Sequence, residues 1–200
     1  MCPAGAALRP MATKLKLVSL DDPVLRQQTK KIRTVDADLL RLIDEMFEAM
    51  YEFRGVGLAA PQIGLSLRLA VIHVPEMDPI ALINPEVVHR EGFRIVDEGC
   101  LSVPGWRGEV KRSVTVTVKA LNREGKQIKL TAKDNLLAEA FEHETDHLDG
   151  MLYIGRLNSP EKLWKLPPEE ELEEEVEETE PEPPPKRRRP KAQAHDPERK

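Results

Sequence analysis

The sequence predicts an α+β fold in which strands wrap around one central helix, and three patterns of residues predict it. Apolar side chains recur at helical spacing from Leu39 to Met50. Valine alternates with polar residues from Val114 to Val118, as in a half-buried strand. The run EHETDH, from Glu142 to His147, places two histidines four residues apart, so that both imidazoles lie on one face of a helix.

The first predicted helix begins at Asp36, a residue type that caps helix N-termini, and runs to about Phe53. Its apolar face consists of Leu39, Leu40, Ile43, Met46, Phe47 and Met50. The segment GVGLAAPQIG, from Gly55 to Gly64, contains three glycines and a proline, which break helices. A loop is therefore expected between this helix and the first strand.

Two apolar runs of strand length follow, at residues 67–74 and 80–84. Residues 87–96 are predicted to turn back as a hairpin at Glu91-Gly92. The next segment, DEGCLSVPG around Cys100, has no clear alternation and is predicted to be irregular or an edge strand.

The alternating segment 114–118 is expected to pair with residues 127–131 across a short turn. A second helix is predicted to begin near Asp134 or Asn135 and to carry the EHETDH run. Gly150 is expected to end it, because glycine readily adopts the left-handed conformation that terminates helices.

The composition predicts three regions: a disordered N-terminal extension at residues 1–14, a domain at 15–166 and a disordered tail at 167–200. The tail contains 12 acidic and 7 basic side chains, which equals the net charge of −5 of the whole chain. In the tail, an acidic run precedes the basic cluster Lys186–Arg189. The domain itself is neutral, which argues against a DNA-binding face.

The chain contains two cysteines, Cys2 and Cys100, which argues against a disulfide scaffold and for a reducing compartment. No apolar run approaches the roughly 20 residues that span a bilayer. The N-terminal residues also lack the apolar core of a secretory signal. These observations predict a cytoplasmic protein without a membrane partner.

The EHETDH run indicates a catalytic metal site. His143 and His147 can reach one metal ion, with Glu144 close to a water molecule there. Cys100 is the best candidate for a third ligand, because a thiolate suits Zn²⁺ or Fe²⁺ and no histidine follows shortly after Gly150. The alternative for Cys100 is a small buried apolar residue.

The segment GVGLAAPQIG also matches the weak dinucleotide-binding pattern G-x-G-x-x-A. The context is wrong for that function, since a helix precedes the segment and Pro61 interrupts the helix that should follow. We expect instead a loop beside the metal site, where Gln62 offers its amide to an oxyanion and Gly57 offers its backbone to a peptide. A purely structural turn is the alternative.

Three segments, in this order, resemble the three motifs of the peptide deformylase family. They are GVGLAAPQIG, EGCLS at Glu98–Ser102 and EHETDH at Glu142–His147. The resemblance extends over roughly Leu15 to Leu157 and leaves out the tail. It implies a deformylase fold, with mixed or antiparallel sheets around a central metal-binding helix.

The resemblance implies a metal-dependent hydrolase that removes the formyl group from the N-terminal formylmethionine of new polypeptides, a step of methionine processing in bacterial protein biosynthesis. Formate and a free amine are the products. The implied metal ligands are Cys100, His143 and His147, with Fe²⁺ as the natural ion and Zn²⁺, Ni²⁺ or Co²⁺ accepted. Glu144 would be the general base, and the Gln62 amide and the Leu101 backbone N–H would stabilise the oxyanion.

The resemblance also implies how the substrate binds. Gly57 would pair with the peptide backbone as an added strand, and Arg107 would lie near the peptide. The methionine pocket would consist of Val56, Val96, Leu136, Ala140 and His143. A transient ribosome contact through the basic tail is expected by analogy, whereas a solvated tail without a partner is the simpler interpretation.

Two positions depart from the family pattern, and a third lies near the expected pocket. Glu142 replaces the usual glutamine before the first helix histidine, and it either tunes the site or points outward. Gly155 stands where an aspartate often occurs, and Glu139 falls near the expected pocket wall. Two other functions remain as alternatives: another metallohydrolase such as a peptidase, and a catalytically inert ribosome-associated binding protein with a deformylase-like fold.

Overall fold

A computed structural model describes residues 14–167. This part of the chain contains two α-helices, α1 (Ala37–Glu52) and α2 (Leu136–Leu148). Eight strands surround them: β1 (Gly57–Ala59), β2 (Leu69–Ile72), β3 (Ile80–Glu91), β4 (Arg94–Cys100), β5 (Val103–Arg112), β6 (Thr115–Leu121), β7 (Gln127–Lys133) and β8 (Leu163–Lys165). Short 3-10 helices occur at Pro23–Arg26, Ala60–Ile63, Tyr153–Arg156 and Pro160–Lys162.

The strands form two antiparallel sheets. The larger sheet has the order β1-β2-β3-β6-β7, and the smaller has the order β4-β5-β8. Every pair of neighbouring strands within these sheets is antiparallel. The α+β prediction is therefore confirmed, in its antiparallel form.

Helix α1 forms where its apolar spacing predicts. Asp36 accepts a hydrogen bond from the Leu39 backbone N–H at 2.9 Å, which caps the first turn. The buried face of α1 packs with residues of β1 and β2 in one apolar cluster that includes Ile43, Leu58 and Val71. Burial of this face, rather than intrinsic helix propensity, supplies most of the stability of such a helix.

Helix α2 is the central element of the fold. Asn135 caps it by accepting from the Ala138 N–H at 3.0 Å, and Gly150, with a φ of 77°, follows its C-terminus. The helix contacts β1, β2, β3, β6 and β7, and Phe141 is fully buried against that sheet. The predicted start, end and central position of the EHETDH helix are confirmed.

The predicted hairpin at Glu91-Gly92 is wrong. Strand β3 continues without interruption from Ile80 to Glu91 and pairs with β2 and β6, whereas β4 pairs with β5 in the other sheet. Gly92, with a φ of 66°, marks the point where the chain passes from one sheet to the other. Turn residues identify such a bend, but they do not identify which strands pair across it.

The predicted loop at Gly55–Gly64 is also partly wrong, because it contains β1 and the 3-10 helix Ala60–Ile63. Residues 57–63 are all buried, and buried backbone groups need hydrogen-bond partners. Strand β2 supplies them through the pairs Gly57–Ile72 and Ala59–Ala70.

The helices within residues 14–167 are too short or too polar to cross a bilayer. The predicted N-terminal extension lies outside the described residues, apart from its last residue, and so does the tail beyond Pro167. These boundaries and the disorder of both ends stay predictions.

Candidate metal centre and active site

Three side chains from two elements converge at one point. Cys100 lies at the end of β4, and His143 and His147 lie one turn apart on α2. Their ligand atoms all lie within 4.8 Å of one another. The Cys100 Sγ is 3.2 Å from the His147 Nε2, and the two imidazole centroids are 4.9 Å apart. The structure thus brings together the three predicted metal ligands.

Glu98 determines which nitrogen of the His143 ring is available to the ligand cluster. The ring Nδ1 lies 2.9 Å from the Glu98 Oε2. Burial alone would raise the pKa of Glu98, but hydrogen bonds from Arg112 and His143 lower it to about 2. An ionised carboxylate only accepts hydrogen bonds, so the His143 Nδ1–H donates. With Nδ1 occupied by Glu98, Nε2 is the nitrogen of His143 that would bind a metal ion.

The protonation of the cluster also fits a divalent cation. Burial opposes ionisation of Cys100, but the charge of His147 and a hydrogen bond from His143 hold the pKa of the thiol well below its ordinary value. A thiolate and two imidazoles are ligands that Zn²⁺ and Fe²⁺ accept. Three protein ligands also leave a coordination position open for water or substrate.

Glu144 lies on α2 between the two histidines and is 4 % exposed. Burial raises the pKa of its carboxyl group, although His143 and His147 oppose the shift. Its Oε2 is buried without a hydrogen-bond partner among residues 14–167. An unsatisfied carboxylate oxygen beside the ligand cluster is free to accept a proton or a hydrogen bond from a small molecule in the cavity.

Gly57 on β1 leaves the space that Glu144 occupies, since a Cβ at this position would overlap the Glu144 carboxylate. We predict that Gly57→Ala displaces this carboxylate and lowers the rate of hydrolysis by about 10²-fold, because a shift of 1 Å in a reacting group has effects of that size. Steady-state kinetics measure the loss.

Gly155→Ala is the matched control for Gly57→Ala. A Cβ at Gly155 would meet no atom within 4 Å, so this variant should keep the wild-type rate. Equal rates for both variants would show that the close contact between Gly57 and Glu144 has no catalytic consequence.

Gln62 is held in one orientation within the 3-10 helix that follows β1. Its Oε1 accepts from the Ala59 N–H at 2.8 Å, so its amide NH₂ faces the ligand cluster. That NH₂ donates to the Ser102 Oγ at 3.3 Å and lies 3.6 Å from the Cys100 Sγ. A fixed amide donor beside a thiolate can also serve a developing oxyanion.

A cavity of about 690 Å³ opens onto this cluster. The predicted residues that line it are Val56, Gly57, Gln62, Leu101, Arg107, Leu136, Ala140, His143 and Glu144. Val96 is not among the lining residues, although its neighbour Asp97 is. Val96 pairs instead with Val110 in the smaller sheet. Phe53, Trp106 and Leu166 also line the cavity, and no sequence pattern predicted them there.

A buried ion network beneath the ligands escaped the sequence analysis. The Arg112 side chain is 2 % exposed and donates to Glu98 at 2.8 Å and to Asp146 at 2.6 Å. Arg156 also donates to Asp146, at 2.6 Å. Glu98 and Asp146 belong to the EGCLS and EHETDH motifs, but no local pattern identifies Arg112 as their partner.

Glu142 and Glu139, the two carboxylates singled out in the sequence, each have specific hydrogen-bond partners. Glu142 is buried and accepts from the Ser113 N–H and from Arg90, both at 2.7 Å, rather than from a metal ligand. Glu139 lines the cavity, as its position predicts, and accepts from Arg94 at 2.8 Å. Glu142 thus anchors α2 to the larger sheet and neither contacts the ligands nor points into solvent.

A thiolate, two imidazoles and an adjacent buried carboxylate within an antiparallel α+β scaffold define a metal-dependent hydrolase. The family model described as polypeptide deformylase matches residues 14–163. A peptide deformylase of Dehalococcoides mccartyi (strain CBDB1) is 46% identical over 160 residues, which cover 80% of this chain and 95% of that protein. The chain belongs to the polypeptide deformylase family.

Solved structures agree. The structure of a Synechococcus elongatus peptide deformylase in complex with actinonin has a TM-score of 0.72 and 36% identity, covering 81% of this chain and 88% of that one. A Met-Ala-Ser-bound class I type b peptide deformylase from Acinetobacter baumannii has a TM-score of 0.70 and 31% identity, covering 74% of this chain and 100% of that one. The predicted family, fold and enzyme class are confirmed, and no match supports an inert binding protein.

Proposed function

We propose that the Cys100–His143–His147 cluster is the metal centre of a peptide deformylase that removes the N-formyl group from the N-terminal formylmethionine of nascent polypeptides. The observation that carries the proposal is the convergence of the three ligand atoms within 4.8 Å of one another, beside the Glu144 carboxylate. A bound divalent cation would supply an acidified water molecule and polarise the formyl carbonyl.

Glu144 is the proton carrier in this proposal. It takes a proton from the attacking water as the new carbon–oxygen bond forms at the formyl carbon. It then gives that proton to the leaving nitrogen as the carbon–nitrogen bond breaks, so that formate and a free amine result. The raised pKa that burial gives Glu144 suits both transfers, because a general base works best when its pKa lies near the working pH.

The Gln62 amide and the Leu101 backbone N–H stabilise the oxyanion in this proposal. We predict that Gln62→Met, which keeps the side-chain volume but removes the donor, lowers kcat by about 10²–10³-fold. Formate release measured at saturating substrate gives the value.

Gln127→Met, at an exposed position of β7, is the control for Gln62→Met and should keep the wild-type kcat. A Gln62→Met enzyme with wild-type kcat would remove Gln62 from the mechanism.

The remaining lining residues bind the peptide. The methionine side chain packs against Val56, Leu136 and Ala140, and Val96 stays a predicted member of this pocket. Gly57 pairs with the substrate backbone. Arg107, whose guanidinium donates to the Asp97 carbonyl at 2.6 Å, lies beside the peptide. The Met-Ala-Ser-bound relative supports a substrate of this length and kind.

Fe²⁺ is the proposed ion, with Zn²⁺, Ni²⁺ or Co²⁺ as replacements, and the bacterial cytoplasm is the proposed compartment. A reducing environment keeps the Cys100 thiolate available as a ligand. Metal analysis of protein purified without oxygen identifies the ion. One equivalent of iron per protein supports the proposed ion. One equivalent of zinc would show that Fe²⁺ is the wrong ion.

A transient contact of the basic tail with ribosomal RNA is a further part of the proposal, and it rests only on the sequence of residues outside the described part of the chain. Deletion of residues beyond Leu166 should reduce co-sedimentation with ribosomes. If co-sedimentation does not change, the tail has no such partner.

One assay tests the function. The oxygen-protected protein is supplied with formyl-Met-Ala-Ser and, separately, with Met-Ala-Ser. We expect one formate and one intact Met-Ala-Ser for each formylated peptide, and no reaction with the unformylated peptide. Cleavage of Met-Ala-Ser would indicate a peptidase, and an absence of formate from metal-loaded protein would contradict the proposal.

A further inference from the structure

Tyr153 is a buried aromatic residue of the short 3-10 helix that follows α2, and none of the three motifs includes it. Its side chain is 1 % exposed, which makes it one of the most deeply buried large residues. It belongs to the apolar cluster of the smaller sheet, with Val103 and Val110 at its centre, against which Cys100 packs. Tyr153 therefore lies where the sheet that supplies the thiolate meets the helix that supplies the imidazoles.

The Tyr153 ring lies against a metal-ligand histidine. The centroids of the Tyr153 and His143 rings are 6.4 Å apart with an interplanar angle of 27°, an offset-stacked arrangement. His147 meets the same imidazole edge-on, at 4.9 Å and 73°. Two aromatic neighbours and the Glu98 hydrogen bond thus surround the His143 ring.

The Tyr153 ring is itself fixed at its far end. Its hydroxyl donates to the Trp106 carbonyl at 3.1 Å, on the strand that pairs with β4. A phenol is protonated at neutral pH, so the hydroxyl continues to donate. A ring held at both ends is a rigid surface for a neighbouring imidazole.

We propose that Tyr153 is a positioning residue of the metal centre, whose ring face holds the His143 imidazole in the plane that metal binding requires. Glu98 fixes which nitrogen carries the proton, but a single hydrogen bond leaves the ring free to tilt about that contact. The Tyr153 face opposes this tilt. The proposal rests on the metal-ligand role of His143 given under the proposed function.

Metal binding, rather than turnover, tests this role, with Co²⁺ as the probe. Tyr153→Met keeps an apolar side chain of adaptable shape but removes the ring, and Tyr153→Phe keeps the ring but removes the hydroxyl. We expect Tyr153→Met to bind Co²⁺ about 10–100-fold more weakly and to shift the visible absorption of the bound ion. Tyr153→Phe should restore the wild-type affinity and spectrum.

Val110→Ala is the control, because it perturbs the same apolar cluster but leaves the aromatic ring beside His143 in place. It should lower the thermal unfolding temperature of the metal-free protein and leave Co²⁺ affinity unchanged. Wild-type affinity and spectrum in folded Tyr153→Met would overturn the proposal, as would a Tyr153→Phe variant that binds as weakly as Tyr153→Met.

Two further outcomes are decisive. If neither Tyr153→Met nor Tyr153→Leu folds, Tyr153 is a core residue and the positioning role is rejected. If the wild-type protein binds no Co²⁺ at this cluster, the proposed metal centre itself is wrong. Differences among the Tyr153 variants test only the role of Tyr153 and leave the metal centre standing.

Discussion

Glu144→Ala is expected to abolish deformylation while leaving the metal centre intact. Removal of a general acid–base typically costs about 10²–10⁴-fold in rate, and we expect a loss in that range for formyl-Met-Ala-Ser. The three ligand side chains are unchanged in this variant, so one equivalent of metal should remain bound. Formate release and metal content, measured on the same sample, test both parts.

The thermal stability of Glu144→Ala shows whether its activity is lost through catalysis or through unfolding. The Glu144 Oε2 is buried without a partner, and an unsatisfied buried polar group destabilises a protein. Glu144→Ala should therefore unfold at the wild-type temperature or above it, while Glu144→Asp should retain partial activity. Glu109→Gln, at a partly exposed ion pair, is the control with wild-type activity. Wild-type turnover by Glu144→Ala would exclude the proposed proton transfer.

Arg112→Ala is expected to cause the largest loss of stability of any single change discussed. The Arg112 guanidinium bridges Glu98 and Asp146, and all three side chains are at most 5 % exposed. Within the described residues, removal of Arg112 leaves Glu98 with only its His143 contact and Asp146 with only its Arg156 contact, and loss of one partner from a buried ion pair typically costs about 3–5 kcal/mol. Denaturant unfolding of the metal-free protein measures the change in the free energy of unfolding.

Arg123→Ala is the matched control, since Arg123 forms a largely exposed ion pair with Asp44. Such pairs contribute about 1 kcal/mol or less. A similar, small effect in both variants would show that the buried network does not stabilise the fold.

The same network predicts a pH dependence. The pKa of Glu98 falls from an ordinary value of 4.5 to about 2 on folding, so the folded state favours the ionised form. The contribution of ionised Glu98 to the free energy of unfolding is present above pH 4.5 and is lost as the pH falls toward 2. Arg112→Ala should show a shallower decline of unfolding free energy over this interval, because Arg112 causes much of the shift.

The helices could be predicted from the sequence because their signals are local. The caps Asp36 and Asn135 and the apolar spacing of α1 act within a few turns of chain. The pairing of strands depends on contacts distant in sequence, and so the passage of the chain between sheets at Gly92 was not predictable from turn residues.

The residues of the site also divide into those with a local sequence signal and those brought together only by folding. The two histidines carry a recognisable spacing, the loop at Gly55–Gly64 suggested the role of Gln62, and the resemblance to known motifs supplied the role of Leu101. Arg112 is 14 residues from Glu98 and 34 from Asp146, and only the folded chain brings them together. Tyr153 and Trp106 likewise meet across 47 residues. Residues that support the ligands from a distance carry no local signature.

X-ray absorption at the metal edge of the zinc-loaded protein tests the convergence of the three ligands most directly. We expect one sulfur scatterer at about 2.3 Å and two imidazole nitrogens at about 2.0–2.1 Å for each bound ion. The sulfur signal should disappear in Cys100→Ser. A spectrum without sulfur in the wild-type protein, or one that Cys100→Ser leaves unchanged, would contradict a metal centre formed by Cys100, His143 and His147.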